Sequence, residues 1–325
     1  MAKPNRPLAQ GRHWLTVPRW CHEVWLRFFL GLAAYCVLPA LAQSSDTAQR
    51  PHVVSLAPHT TEILFFAGAD PHILAVDNYS DYPDQARRKQ QVGSGIQINH
   101  EALLALRPDH VWAWQTQQIS PELVAQLTKL GTQVRFIQPK SLQDIVDAVR
   151  LAGQVFMLGP RAQQQADALQ LKLDQLEAIP HQAKRPLSVF IEAGTEPLYT
   201  LGNDPLTRHV LRTCGASNIY EHYRAPALTV NLEDILKRRP QIVITAYKQA
   251  ETATARHQFW QSKLALADKA IINIDPDHLF RPGPRLILAV ETLCDALDQY
   301  RHSASAQVDQ HDLPSAKLQR RASQK

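Results

Sequence analysis

The sequence lacks the short motifs that mark common catalytic and nucleotide-binding sites. It contains no Gly-x-Ser-x-Gly nucleophile turn, no Gly-x-Gly-x-x-Gly after a predicted strand, no phosphate-binding lysine loop and no His-Glu-x-x-His pair. A Gly/Ser-rich linker, which would favour large movements between domains, is also missing. These absences argue against the familiar classes of hydrolase, dehydrogenase and zinc protease.

Cysteine is scarce, with four in 325 residues. Cys21 and Cys36 fall in an N-terminal segment that we interpret below as a signal peptide, so Cys214 and Cys294 remain in the mature chain. A lone pair in an exported protein predicts one disulfide, which would close a loop of about 80 residues. The alternative is two buried free thiols.

No apolar run is long enough for an ordinary membrane-spanning helix. The run at residues 28–41 has about 14 residues where about 20 are needed, it follows five basic residues, and it ends on a small-residue site at Ala40 to Ala42. Residues 1–42 are therefore predicted to be a secretory signal that is cleaved near Ala42. A membrane anchor is the alternative, as is lipidation at Cys36, which the bulky Tyr35 before it disfavours.

The positive charge is confined to the two ends of the chain. Residues 1–42 carry a net charge of +4 and residues 301–325 a net charge of +3, out of +5 for the whole chain, so the part between them is slightly acidic. A basic surface for nucleic acid is therefore not expected. The polar residues 303–325 are predicted to be a disordered tail.

One 13-residue pattern occurs twice, at residues 99–111 and 231–243. Each copy has a capping asparagine (Asn99, Asn231), an acid two positions later (Glu101, Glu233), apolar residues at helical spacing, and a proline before an extended apolar run. The pattern predicts a short helix followed by a strand. Because the copies are 132 positions apart, too far for a solenoid, they indicate two similar α/β lobes, although a chance match is the alternative.

Strands and helices alternate along the rest of the chain, which predicts parallel sheets with right-handed crossovers. Residues 58–62 are predicted as a loop before a helix at 63–67, and 194–204 and 275–284 as further loops. The last helix is predicted at 285–300. The predicted organisation is a signal peptide at 1–42, an N-terminal α/β lobe at 52–140, one long rigid interdomain helix region at 141–180, a C-terminal α/β lobe at 186–302 and the tail.

The fourteen histidines are scattered, and none forms a close ligand pair on one helix. His59 and His278 stand apart, because each is predicted on a loop that leaves a strand, where open α/β sheets bind ligands. Either could reach a metal centre inside a bound cofactor, and the alternative is an ordinary solvated histidine.

Aromatic and basic side chains collect at the predicted strand ends. Such a set in a cleft suits a large, flat, amphipathic ligand. By strand alternation, Trp112 and Trp114 share one side, but only the later one lies at the exit of its strand. The set comprises Tyr79, Tyr82, Trp112 or Trp114, Tyr199, Phe280, Arg281 and Arg285.

Several short motifs carry a family resemblance over about residues 52–300. They include Ser55 to Pro58, Tyr79 to Pro83, Asn99-x-Glu101, Leu106 to Asp109, Ala113-Trp114, Cys214-Gly215, Glu233 and Arg281-x-x-Pro284-Arg285. In these motifs the chain resembles the periplasmic (class III) solute-binding proteins of the cobalamin and iron-complex ABC importers, and it is most similar to the cobalamin-binding members.

The resemblance implies two α/β lobes joined by one long helix, with the ligand in the cleft between them and little closure. It also implies a disulfide between Cys214 and Cys294, and docking of Glu101 and Glu233 onto arginines of the permease. The implied ligand contacts are Tyr79 or Tyr82, Trp114, Tyr199, Asp277 and Arg281. Two positions depart from the cobalamin binders: Gly95 and Ala227 stand where those proteins have tryptophans, which removes two large apolar faces.

We therefore expect a monomeric, exported, non-enzymatic protein that captures cobalamin in the periplasm and delivers it to an inner-membrane ABC transporter. Neither a resident cofactor nor a resident metal is expected. The first alternative is a ferric siderophore or haem carrier, in which Tyr199, His59 or an arginine would meet the iron complex. The others are an exported metal-dependent hydrolase that uses His59 and His278, and a docking protein without a ligand.

Overall fold

A computed structural model describes residues 50–95, 97–179 and 186–311. The predicted signal peptide at 1–42 and most of the predicted tail lie outside the described residues. Within these ranges no helix is both long enough and apolar enough to cross a membrane.

The first lobe is built on a parallel sheet that contains five strands among the described residues. Their order in the sheet is β3-β2-β1-β4-β5, and every neighbouring pair runs parallel. The strands are β1 (Val53–Ser55), β2 (Ile73–Val76), β3 (Gln90–Gln91), β4 (His110–Ala113) and β5 (Gln133–Phe136), and the helices between them are α1 (Pro58–Ala67), α2 (His100–Ala105) and α3 (Pro121–Lys129).

Two helices, α4 (Leu142–Val155) and α5 (Pro160–Ala178), follow the first sheet and pack against each other. The break between them falls at Gly159, as the sequence predicts. A single rigid helix joining the lobes remains a prediction, since residues 180–185 lie outside the described part. One apolar core nevertheless runs through both lobes, and it includes residues of α1, α4, α5 and the last helix.

The second lobe begins at residue 186 and holds a second parallel sheet together with a small antiparallel one. In the described residues the parallel strands lie in the order β12-β11-β6-β9, and the antiparallel ones in the order β10-β8-β7. The strands are β6 (Leu187–Glu192), β7 (Gly194–Thr195), β8 (Leu198–Leu201), β9 (Ala216–Asn218), β10 (Ala227–Thr229), β11 (Ile242–Thr245) and β12 (Ile271–Asn273); the helices are α6 (Pro205–Thr213), α7 (Leu232–Arg238), α8 (Ala250–Leu264), α9 (Pro276–Leu279) and α10 (Pro284–His311).

The α/β fold class with two parallel-sheet lobes is confirmed, and both copies of the repeated pattern form the predicted helix and strand. Asn99 accepts a hydrogen bond from the backbone N–H of Ala102 at the start of α2, and Asn231 does the same for Asp234 at the start of α7. The backbone departs from the helix at equivalent places, because Arg107 and Arg239, each directly before the proline, both have positive φ. The similarity of the two copies is therefore structural as well as sequential.

The boundaries of four predicted segments were wrong. Residues 58–62 are the first turns of α1 and not a loop, because Pro58 at the N-terminus of a helix gives up no intrahelical hydrogen bond. The loops at 194–204 and 275–284 contain β7, β8 and α9. The last helix continues to His311 instead of ending at Tyr300, and so includes the first residues of the predicted tail.

The predicted disulfide is confirmed. Cys214, at the end of α6, is bonded to Cys294 in α10, and both residues are buried. The bond closes a loop with a sequence separation of 80 residues and ties α6 to the helix that packs against α1, α4 and α5.

His59 is a buried core residue of α1. Its Nε2–H donates to the carbonyl oxygen of Ile137 (2.9 Å), and its ring lies 5.8 Å from the ring of Trp114 in an edge-on contact. Burial lowers the pKa of His59 from 6.5 to about 4, against a smaller opposing effect of the hydrogen bond to Ile137. The imidazole is therefore neutral at physiological pH, and one of its two nitrogens is already in use.

Removal of the disulfide should destabilise the folded protein by about 4 kcal/mol, because a crosslink over 80 residues restricts the unfolded chain. We expect the C214A/C294A double variant to show this loss in the free energy of unfolding in urea. Wild-type protein under reducing conditions is the control. A loss below about 1 kcal/mol would contradict the expectation.

Acid should destabilise the protein through His59. Because its folded-state pKa of about 4 lies below the unfolded value of 6.5, the unfolded state binds more protons between these values. The contribution to stability is complete above pH 6.5 and falls as the pH drops towards 4. Urea unfolding at pH 7 and pH 5 should show about 2 kcal/mol less pH dependence in H59Q than in wild type. H222Q, which changes an exposed histidine, should retain the wild-type dependence.

Candidate functional site

A cavity of about 500 Å³ opens between the two lobes. The first lobe contributes the residues that follow β4 and β5, and the second lobe contributes the β8 hairpin, the start of α6 and the segment that joins α9 to α10. The volume lies within the range of small-molecule pockets. Its lining is mostly apolar and includes Trp114, Gln115, Lys140, Ile191, Tyr199, Leu206, Ala227, Phe280, Pro282 and Leu286.

Trp114 and Tyr199 face this cavity from opposite lobes. Trp114 directly follows β4 and is 43% exposed, while Tyr199 lies in β8 and is 40% exposed. Trp112, two residues earlier, is fully buried and packs against Phe156 in the core. The two tryptophans therefore differ in burial because Trp112 lies within β4, in the core, whereas Trp114 lies beyond the end of the strand.

The two predicted tyrosines of the first lobe lie outside this cavity. Tyr82 lines a neighbouring pocket of about 340 Å³, where the guanidinium of Arg285 stacks 3.7 Å from the centre of its ring. Tyr79 is 63% exposed and lines neither pocket. Of the four predicted aromatic contacts, Trp114 and Tyr199 line the cavity together. Tyr82 lines the other pocket, and Tyr79 lines neither.

Arg281 and Asp277, the predicted polar contacts, are paired with other charged groups of the protein. Arg281 forms an ion pair with Asp81 of the first lobe, and its Nη2 lies 3.0 Å from Oδ1 of Asp277. Asp277 is also paired with Lys248. The predicted ligand-binding arginine therefore forms a bridge between the lobes.

Partial burial by itself would raise the pKa of the Asp81 carboxyl. The hydrogen bond from Arg281 and the positive charges of Arg281, Lys248 and Arg87 outweigh this effect and hold the pKa of Asp81 below its usual range. Asp81 is therefore ionised at neutral pH. The sequence motif contains Asp81 between its two tyrosines, but nothing in the motif indicates that its partner lies 200 residues away.

A second bridge between the lobes joins Glu62 to Arg285. Glu62 is almost fully buried in α1, and its carboxylate accepts hydrogen bonds from the backbone N–H (2.8 Å) and the Nε (2.9 Å) of Arg285. These contacts fall at the start of α10, where the helix dipole favours an anion. Sequence reasoning missed Glu62 because it treated residues 58–62 as a loop.

The side chain of Gln118 lies against Gly95, where a larger residue would meet it. A Cβ on Gly95 would lie 2.9 Å from the Nε2 of Gln118, which donates to the carbonyl oxygen of Leu56. The Oε1 of Gln118 accepts from the backbone N–H of Trp114 (2.8 Å). Gln118 thus occupies the space beside Gly95 and holds the backbone of a cavity residue. Ala227, the other position that departs from the cobalamin binders in the sequence comparison, lines the cavity.

The two acids of the repeated pattern lie away from the cavity. Glu101 and Glu233 are exposed in the first turns of α2 and α7. Within the described ranges, no group of three or more histidine, cysteine or acidic side chains could hold a metal ion.

Comparison with known proteins gives independent evidence of the family to which this chain belongs. The family model described as periplasmic binding protein matches residues 53–277. The vitamin B12-binding protein of Salmonella paratyphi A is 36% identical over 251 residues, which cover 77% of this chain and 91% of the relative. That of Pectobacterium atrosepticum is 33% identical over 258 residues, which cover 78% and 91%.

Solved structures agree with the fold. The periplasmic vitamin B12 binding protein BtuF of Vibrio cholerae superposes with a TM-score of 0.69 at 30% identity, covering 77% of this chain and 98% of that one. The haem-binding protein BhuT superposes with a TM-score of 0.65 at 21% identity, covering 77% and 98%, a likeness of fold alone. With the family model matching well over half of its length and relatives above 30% identity, the chain belongs to the periplasmic binding protein family.

Proposed function

We propose that this protein captures cobalamin in the cavity between its lobes, in the periplasm, and delivers it to an inner-membrane ABC transporter. The observation that carries the proposal is the pair of exposed aromatic faces, Trp114 and Tyr199, presented by opposite lobes to one largely apolar cavity. Relatives that share a third of the sequence are named for vitamin B12 binding.

The chemistry of the cavity fits a corrinoid. A corrin is a broad ring with an apolar body and amide groups around its edge, so it needs aromatic or aliphatic surface and a few hydrogen-bonding groups. Trp114, Tyr199 and Phe280 supply the aromatic surface. The charged groups around Arg281 supply the hydrogen-bonding groups beside it. Since the protein offers a binding cavity and no catalytic motif, we assign it a role in binding and not in catalysis.

A haem or ferric siderophore carrier is the closest alternative. That function would use Tyr199 or His59 on the iron, or an arginine on the iron complex or its carboxylates. His59 is buried with its Nε2 bonded to Ile137, and Arg281 and Arg285 are each paired with carboxylates. These three side chains therefore do not favour an iron complex, whereas Tyr199 faces the cavity and is compatible with either ligand.

Delivery to the transporter is assigned to Glu101 and Glu233. They occupy equivalent positions in the two copies of the repeated pattern, so two similar lobes present one exposed acid each. Such a pair complements two arginines on a symmetric permease, and burial of the pairs on contact would give strong, orientation-specific binding.

Cobalamin binding can be measured directly by titration calorimetry with cyanocobalamin, haemin and a ferric siderophore. We expect heat with cyanocobalamin, and a loss of about 1–3 kcal/mol of binding free energy in W114A, because a half-exposed tryptophan loses its ligand contact. Y223A, which truncates an exposed aromatic residue outside the cavity, should bind as wild type does. Absence of heat with cyanocobalamin would refute the assignment.

The docking acids should matter for association and not for folding. The E101A/E233A variant should unfold within about 0.5 kcal/mol of wild type and lose about 2–5 kcal/mol of association free energy with the cobalamin transporter of the source organism in nanodiscs. E251A, which removes an exposed glutamate from the first turn of α8, is the matched control. Unchanged association in the double variant would contradict the docking role.

A further inference from the structure

The charged groups beside the cavity form a neutral cluster that spans the two lobes. Arg281 contacts Asp81 across the lobes and Asp277 within its own lobe, and Asp277 also contacts Lys248. The side chains of Asp81, Asp277 and Arg281 are 27%, 16% and 19% exposed, so water screens the cluster only in part. Asp81 also pairs with Arg87 (3.5 Å), which in turn contacts Asp84, so three cations and three carboxylates balance beside the cavity.

The cluster adjoins the cavity through the segment 280–282, and its charged members lie just outside the lining. Arg281 stands between Phe280 and Pro282, both of which line the cavity. Asp81 precedes Tyr82, whose ring is stacked against Arg285, so the first-lobe loop is held on the second lobe at two neighbouring points. A ligand that fills the cavity and extends past Phe280 and Pro282 would therefore meet this cluster.

We propose that Asp81 is a specificity-determining residue, which neutralises Arg281 so that the cavity selects ligands with uncharged amides at this edge over ligands with carboxylates. The inference rests on the proposed function, and it extends that function from the ligand to the choice between closely similar ligands.

The chemistry of the cluster supports this selection. An amide has both a donor and an acceptor: its N–H can donate to an oxygen of Asp81 or Asp277, and its C=O can accept from the guanidinium. A carboxylate has acceptors only, and it would meet two like charges that already share the arginine. The second arginine is also neutralised, because the buried Glu62 accepts hydrogen bonds from both the backbone N–H and the Nε of Arg285.

The neighbouring Asp84 provides a matched control. It belongs to the same loop as Asp81 and carries the same charge, but its side chain is 91% exposed and its contact is with Arg87 at 3.8 Å. Substitution of either aspartate by asparagine changes the net charge equally, whereas only Asp81→Asn releases Arg281 from its partner in the first lobe.

The test compares cyanocobalamin with its separated monocarboxylic acid derivatives, in which one propionamide is a carboxylate. Calorimetry at pH 7.5 should show that wild type binds cyanocobalamin at least tenfold more tightly than at least one of these acids. For that acid the ratio should fall at least fivefold in D81N and stay within twofold of wild type in D84N. R281Q, which removes the cation, should widen the ratio and provides a second readout if D81N does not fold.

The outcomes separate the two proposals. If wild type binds neither cyanocobalamin nor the acids, the proposed function fails and this inference fails with it. If wild type binds all of them equally, or if D81N and D84N change the ratio to the same extent, the role of Asp81 is refuted while cobalamin binding stands. The same holds if R281Q narrows the ratio.

Discussion

The buried carboxylate of Glu62 is the constraint on which the arrangement of the two lobes depends. An ionised group with 2% of its side chain exposed is costly unless it is paired and hydrogen-bonded. Among the described residues, Glu62 meets this requirement through the other lobe, at the backbone N–H and the Nε of Arg285 at the start of α10. The approach is so close that a Cβ on Gly283 would lie 2.9 Å from the Glu62 carboxyl carbon. Separation of the lobes at this point would leave both charges unpaired.

The positions of the side chains around the cavity depend on this bridge between Glu62 and Arg285. Arg285, fixed by Glu62, stacks on Tyr82, and the adjacent Arg281 reaches Asp81, so the loop at 79–83 is held on the second lobe. The continuous apolar core through α1, α4, α5 and α10, and the disulfide that ties α6 to α10, support the same geometry. Trp114 and Tyr199 therefore face each other from elements that are fixed by packing, which suits a binding site with a preorganised shape.

Much of the fold follows from local patterns. The repeated pattern at 99–111 and 231–243 predicts both helix and strand copies, because a capping asparagine, helical spacing and a proline act within a few residues. The errors at 58–62 and 194–204 have separate physical causes. The short strands β7, β8 and β10 are stabilised by pairing with one another, and α1 begins at Pro58 in a segment whose buried Thr60, Thr61 and Glu62 disguise it as a polar loop.

The sequence by itself determined the α/β class, the two similar lobes, the disulfide, the family and the aromatic character of the site, since each rests on residue type and local spacing. Only the tertiary structure decided which of these side chains share a cavity and which charges cancel. Trp112 and Trp114 differ by two positions yet lie in the core and in the cavity, and Arg281 meets Asp81 across 200 residues. Burial and long-range pairing depend on how the two lobes pack against each other, and local sequence spacing does not determine that packing.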